Sequence, residues 1–262
     1  MEFNFDLISD LHVETWEDFD WAGQATSQYC VVAGDVSQDR KLLIKALSHL
    51  GTCYQGVFYI DGNDEHRNYL DNVGTSYRDL RRYVDKIKNV VFMQDNVVII
   101  NGVAFLAANG WWTFDFDPSV DYQQTVEWFA QRYGVDHSVA ATIANMGIND
   151  AAYLKNSVQK LQMHQDVKAI VMVSHTVPDP RLVNHDLELD GHYRMNTTGN
   201  SHLQLCLDFD SENKVKAWCF GHYHRPVDRI IDGIQYVNNC RGRGNTPWSQ
   251  QAYFPKRITV QY

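Results

Sequence analysis

Seven side chains of metal-binding type stand directly after five short apolar runs. FNFDLIS (3–9) leads into Asp10 and His12, YCVVAG (29–34) into Asp35, and GVFYID (56–61) into Asn63; KAIVMVS (168–174) leads into His175, and VKAWCFG (215–221) into His222 and His224. Four imidazoles, two carboxylates and one carboxamide make a mixed N/O set that suits borderline or hard divalent ions, whereas a thiolate site would bring cysteines to the same places. A single residue separates the polar groups in Asp10-Leu11-His12 and in His222-Tyr223-His224, so in extended backbone each pair points to one side and can chelate. Gly34, Gly62 and Gly221 precede ligand-bearing turns, where a missing Cβ permits close backbone approach. Taken singly, a histidine beside an apolar run is ordinarily a hydrogen-bonded core or surface residue, and GD or GN an ordinary turn. Five such sites, each after a strand-like run, point instead to one metal centre. His49, His137 and His164 lie on helix-like segments and read as solvated or structural.

These side chains meet only if the runs are strands of one sheet system. Short β-rich apolar runs alternate with helical patterns, the signature of an α/β fold, and ligands in such folds collect at the carboxyl ends of the strands. Helices are expected at 38–49 behind a Ser37 cap, and at 76–88, 121–132 and 149–164. Asn101-Gly102 and Asp232-Gly233 each divide two apolar runs and predict two-residue hairpins. The absence of a proline- or glycine-rich linker argues for one domain over 1–262, and the polar stretch from Thr176 to Ser201 reads as a long loop over the site. Trp111, Trp112 and Phe114 follow a hairpin and read as packing residues.

Composition narrows the partners. A net charge of −9 disfavours a broad nucleic-acid or anionic-membrane surface, though not a local cationic site. The five cysteines are scattered and never form CxxC, so reduced, buried thiols are expected. The N-terminus is acidic and alternating, with no apolar run of membrane length, which reads as a soluble, cytoplasmic protein. Oligomeric state leaves no signature.

The blocks DLH (10–12), GD (34–35), GNDE (62–65), SH (174–175) and GHYH (221–224) resemble those of the calcineurin-like metallophosphoesterase superfamily, which are DxH, GD, GNH followed by Asp or Glu, a strand-ending His, and GHxH. SDLHVE, VVAGD, VFYIDGN, NGVAFLAANGWW, GHYHRP and NNCRGR are similar to small bacterial and phage-type members, so the resemblance spans nearly the whole chain. It implies a four-layer α-β-β-α sandwich with two central mixed sheets. It also implies that Asp10, His12, Asp35 and His224 hold one divalent ion and Asp35, Asn63, His175 and His222 the other, with Asp35 bridging. Manganese stands first among Mn, Fe, Zn, Ni and Co. The implied reaction is hydrolysis of a small phosphate mono- or diester by a metal-bridging hydroxide. Asn63 suits its place because its carbonyl oxygen can face a metal while its NH₂ donates to a phosphoryl oxygen. A nuclease or cyclic-nucleotide phosphodiesterase on the same centre is the alternative within enzymes, and an impaired metal-dependent binding protein the alternative outside them.

One position departs from the pattern. Asp64 stands where the superfamily has a histidine that donates to the phosphoryl group and helps protonate the leaving oxygen. An ionised carboxylate cannot act as that acid. The expectations are an enzyme restricted to esters with good leaving groups, another acid drawn from His66, His192 or His202, or a site that binds and turns over poorly. A plainer alternative is that Asp64 caps the next turn and faces away from the metals. Arg241, in NNCRGR, is the candidate forked phosphate donor.

Overall fold

The computed structural model describes residues 1–17, 19–183, 189–244 and 252–262. The first sheet takes β1 (Glu2–Ile8), β2 (Tyr29–Ala33), β3 (Gly56–Ile60), β4 (Val90–Phe92) and β11 (Lys256–Gln261) in the order β11-β1-β2-β3-β4; only β11 runs antiparallel to its neighbour. The second takes β5 (Asn96–Ile100), β6 (Val103–Ala107), β7 (Ala169–Val173), β8 (Val215–Phe220), β9 (Val227–Ile231) and β10 (Ile234–Asn238), in the order β5-β6-β7-β8-β10-β9, parallel from β6 to β10 with an antiparallel strand at each edge.

The apolar runs are continuous because both faces of the central strands are buried. On β2 and β3, Val31, Ala33, Phe58 and Ile60 point between the sheets, where they meet Val103, Phe105, Ala107, Val171 and Val173. Their alternates Cys30, Val32, Val57 and Tyr59 point outward onto Leu43, Leu47 and Leu50 of α1 (Arg40–Cys53) and Leu80 and Val84 of α2 (Val73–Val84). On the far side Leu106, Ile170 and Met172 pack under Leu154 and Val158 of α4 (His137–Gln162). The period of two thus builds four layers, α-β-β-α, as the resemblance implied. The registers Ile8↔Val32, Ala33↔Ile60 and Val173↔Cys219 align the carboxyl ends of β1, β2, β3, β7 and β8 at one end of the sandwich. A parallel bridge between Ser9 and Cys240 joins the two halves there.

Both predicted hairpins form, with Asn101, Gly102, Asp232 and Gly233 all at positive φ. α1 is capped by Asp39, whose carboxylate accepts from the amides of Lys41 and Leu42, and not by Ser37, which accepts from the Asp39 amide and donates to Glu14. The helix expected at 149–164 starts three turns earlier, at His137 behind an Asp136 cap. Gly147 does not break it: a Cβ there would strike the Trp111 carbonyl, so the glycine lets α4 lie against the loop after β6. α3 (Tyr122–Tyr133) and the α4 N-terminal turns bury Trp111, Trp112 and Phe114 in a separate apolar cluster. The 176–201 stretch contains a 3-10 turn at Pro180–Leu182 and α5 (Leu189–Met195), while its residues 184–188 lie outside the described residues. All five cysteines are free thiols. No described helix is long and apolar enough to cross a membrane.

Candidate metal centre

At the shared carboxyl end, ligand-type atoms of Asp10, His12, Asp35 and His224 all lie within 4.8 Å of one another, and so do those of Asp35, His175 and His222. Asp35 belongs to both groups. His12 Nε2 and His224 Nε2 face each other at 2.9 Å, with Asp10 Oδ1 3.3 Å from the latter. In the second group His175 Nε2 lies 3.1 Å from Asn63 Oδ1 and 3.4 Å from Asp35 Oδ1. All seven sequence-derived candidates therefore converge on one place.

Backbone carbonyls set the tautomers. His175 donates through Nδ1–H to the Ala33 carbonyl at 2.9 Å, which leaves the Nε2 lone pair facing Asp35 and Asn63. His222 donates through Nε2–H to the Thr197 carbonyl at 2.9 Å, which leaves Nδ1 to the cluster, and Trp112 stacks on its ring. Metal-bound imidazoles are oriented in this way, by a hydrogen bond from the second ring nitrogen. Burial, then the neighbouring His175, drives His222 down to about 3, and burial lowers His175, so both rings keep a lone pair at neutral pH.

The turns holding these residues are strained, and the strain is local. Asp10, His12, Asp35, His222 and His224 all have φ between 41° and 65°, a region unfavourable to side chains with a Cβ and tolerated where surrounding contacts enforce it. Glu65 supplies much of that enforcement. Its Oε1 accepts from the amides of Val36 (2.6 Å) and Ser37 (3.3 Å), and its Oε2 from those of Gly62 (2.8 Å) and Asp35 (3.2 Å), so one buried carboxylate ties the GD turn to the GN turn. Gly62 completes the junction, since a Cβ would overlap the Asp35 carboxylate.

Charge at the site calls for cations. Burial, then the charges of Asp64, Glu65 and Asp10, push the Asp35 carboxyl well above its usual range. Against the upward push of burial, the imidazoles of His224, His175 and His12 hold Asp10 below it. A buried, mutually repelling carboxylate group interleaved with imidazole lone pairs is a donor set for divalent cations, and these residues fit it.

Asp64 faces this cluster, contrary to the alternative in which it turns away. It is 2% exposed, its amide donates to Asp35 Oδ1 at 2.9 Å, Asn63 Nδ2 donates to its Oδ1 at 3.0 Å, and His12 Nδ1 lies 3.4 Å from its Oδ2. The Asn63 amide thus points to Asp64 in this structure. His12, Glu14 and Asp64 form a third group of ligand-type atoms, but its countercharge is built in: Arg243 binds Asp64 Oδ2, and Arg67 lies 3.4 Å from Oδ1. Arg243 gave no distinct signal in the sequence beyond its place in the RGR run.

His66 does not reach the cluster. Residues 64–72 form two 3-10 segments joined by a kink at Tyr69, and in the first, with three residues per turn, Arg67 comes round beside Asp64 while His66 rotates into the interior. There it is fully buried, bonded to Asp61 Oδ2 at 2.7 Å and Ser76 Oγ at 2.8 Å, and stacked on Tyr77. With both ring nitrogens engaged it has no path to a substrate. His192 pairs with Asp117 and His202 with Asp115. Arg241 lies flat on Trp16, its guanidinium carbon 3.9 Å from the ring centre, and it is Arg243 two residues on that reaches the cluster's edge.

The sandwich is a fold shared with solved structures. The phosphopantetheinyl hydrolase of Mycobacterium tuberculosis superposes with a TM-score of 0.74 at 16% identity, over 97% of this chain and 95% of that one. A candidate 5'-nucleotidase from Staphylococcus aureus, solved with α-ketoglutarate, covers all of this chain with a TM-score of 0.51 at 13% identity, the chain spanning about half (51%) of its length. No family model and no curated protein sequence matches the chain.

Proposed function

We propose that this chain is a calcineurin-like metallophosphoesterase that hydrolyses a small phosphate mono- or diester with two divalent ions, manganese first. The observation that carries the reading is the pair of donor groups sharing Asp35, on a fold common to known phosphoesterases. Asp10, His12, Asp35 and His224 would hold one ion, and Asp35, Asn63, His175 and His222 the other. Bound there, the ions supply Lewis acidity and positive charge toward a phosphoryl group. The chain's own part is positional. Glu65 locks the turns bearing Asp35 and Asn63, and the Ala33 and Thr197 carbonyls aim two imidazoles. A carboxylate at Asp64 donates no proton, which directs the activity to esters whose leaving groups need little protonation. The free thiols fit a reducing, cytoplasmic setting.

A second reading, a metal-dependent binding protein, draws on the same Asp64, paired with arginines where an acid is needed. Purified protein assayed on nitrophenyl phosphate and bis-nitrophenyl phosphate with Mn²⁺, alongside elemental analysis, separates the two. Turnover that Asp35→Asn and His222→Ala abolish together with metal content supports the hydrolase. Stoichiometric metal without turnover on either ester favours the binder, and no bound metal under any divalent ion overturns both.

A further inference from the structure

Asp64 raises a charge problem that the cluster does not solve by itself. It adds a third carboxylate to Asp10 and Asp35 in a place with almost no solvent, at the position where the resemblance puts a donor to the phosphoryl group. Two dications against these three carboxylates and a hydroxide leave a balance near zero, too little to draw an anion into an acidic protein. Yet Asp64 is spanned by positive groups on its outer side. Arg243 binds one oxygen with a side chain 28% exposed, and Arg67, 46% exposed, approaches the other.

The chain course fixes Arg243 in place. After β10, residues 239–244 run beside the first ligand turn: the amide of Arg241 donates to Ser9 O at 3.0 Å, that of Gly242 to Asp10 O at 2.9 Å, and that of Gly244 to Thr15 Oγ1 at 3.1 Å. Arg243 lies between two of these anchors, so its guanidinium is delivered to the lip of the cluster, one carboxylate away from His12 and Asn63. A fixed guanidinium fork is the side chain best matched to phosphoryl oxygens.

From this geometry we infer that Arg243, held by Asp64, is the group that meets the phosphoryl oxygens of the substrate, with Asp64 its positioning residue. The inference rests on the phosphoester reading and names the anion subsite of that same centre. It turns the Asp64 departure from a lost donor into an exchanged one: the proton-bearing imidazole is replaced by a permanent cation that binds phosphate and gives up no proton.

Calorimetric titration of inorganic phosphate into manganese-loaded protein tests it without relying on turnover. Arg243→Gln is expected to weaken phosphate binding about 10- to 150-fold, as the loss of one charge-assisted hydrogen bond does. Arg243→Lys, which keeps the charge and loses the fork, should fall between, and Asp64→Asn should weaken binding less than Arg243→Gln. Manganese content should stay at the wild-type value in both Arg243 variants. On nitrophenyl phosphate the loss should enter through KM. Arg243→Gln or, if that variant does not fold, Arg243→Lys binding phosphate within twofold of wild type, with metal intact, overturns the inference and leaves Arg243 as a structural ion pair. Weakened phosphate binding in a protein that hydrolyses no ester upholds the subsite and removes the hydrolase. Metal-loaded wild type that binds no phosphate overturns the subsite. Protein that takes up none of Mn, Fe, Zn, Ni and Co removes the hydrolase reading, and the same phosphate titration on it still decides the subsite.

Discussion

Replacing Glu65 tests whether one carboxylate organises the whole ligand floor. In Glu65→Gln an NH₂ takes the place of one oxygen. Whichever oxygen is lost, two of the four backbone amides lose their acceptor, Val36 and Ser37 on one side or Gly62 and Asp35 on the other, and meet a competing donor. Each unsatisfied buried donor costs about 1–3 kcal/mol, and because one bond of each pair is long the combined loss is about 2–4 kcal/mol. Against a total stability of about 5–15 kcal/mol this is a large fraction, equivalent to a fall of about 5–15 °C in Tm for a chain of this size. Burial, then the Asp61 charge, push the Glu65 carboxyl up to about 7 against the pull of the Gly62 and Val36 amides, so urea unfolding is best compared at pH 8, with the group ionised. Manganese content should fall as well, since the two turns carry Asp35 and Asn63. Unfolding free energies of Glu65→Gln and wild type agreeing within about 0.5 kcal/mol would refute the reasoning, because a removable acceptor cannot be what holds the turns.

Three further outcomes follow from the same site and its supports. Asp35→Asn removes the carboxyl whose ionised form burial and its acidic neighbours oppose, so metal-free protein should be at least as stable as wild type while the stabilisation by added Mn²⁺ disappears; a less stable metal-free variant in thermal melts counts against the repulsion. Asp150, buried on α4 and accepting from the Gly110 and Trp111 amides, is pushed up to about 7 by burial and then by Asp95. A carboxyl whose folded value exceeds its unfolded one binds its proton more tightly when folded, so its contribution is full below about pH 4 and is lost as pH rises to about 7, a change of order 4 kcal/mol. The stability of wild type relative to Asp150→Asn should therefore fall across that window, and a flat or rising difference in urea titrations refutes the assignment. Asp64→His should raise turnover on alkyl phosphates about 10²–10⁴-fold, far more than on nitrophenyl esters, while KM rises as Arg243 loses its anchor; equal gains on both ester types would show that no acid had been missing.

The fold and the cluster of candidate ligands were legible for one reason: each candidate ligand follows a strand, and strands have a readable period. β2, β3, β6 and β7 alternate between two buried faces, so they stand out as continuous apolar runs, and parallel topology then brings their ends together whatever the intervening loops do. Where the period changes, the reading slips. His66 is a candidate acid from its place two residues after Asp64, but three residues per turn put Arg67 beside Asp64 instead. β4 and β11 are short or lie at a sheet edge, and α4 passes through a glycine that looks like a stop and is a packing notch. Glu65 stood in the quoted motif without a role because its partners are backbone amides, which every sequence carries and none displays.

Arg241 and Arg243 show the same limit at finer grain. They are two residues apart in an irregular segment, equal in charge and composition, and only the anchoring of Gly242 on Asp10 and of Gly244 on Thr15 sends one to Trp16 and the other to Asp64. An arginine chosen by motif alone is therefore a choice between two, and the pairing of a buried carboxylate with a rim guanidinium decides it. That pairing also accounts for the one departure of this chain from its resemblance: a carboxylate at 64 is tolerable beside Asp35 because an arginine covers it, and the arginine is held there by that carboxylate. Asp64→Asn and Arg243→Gln should consequently be less than additive in phosphate affinity, and strict additivity in that double-mutant cycle would separate the two residues again.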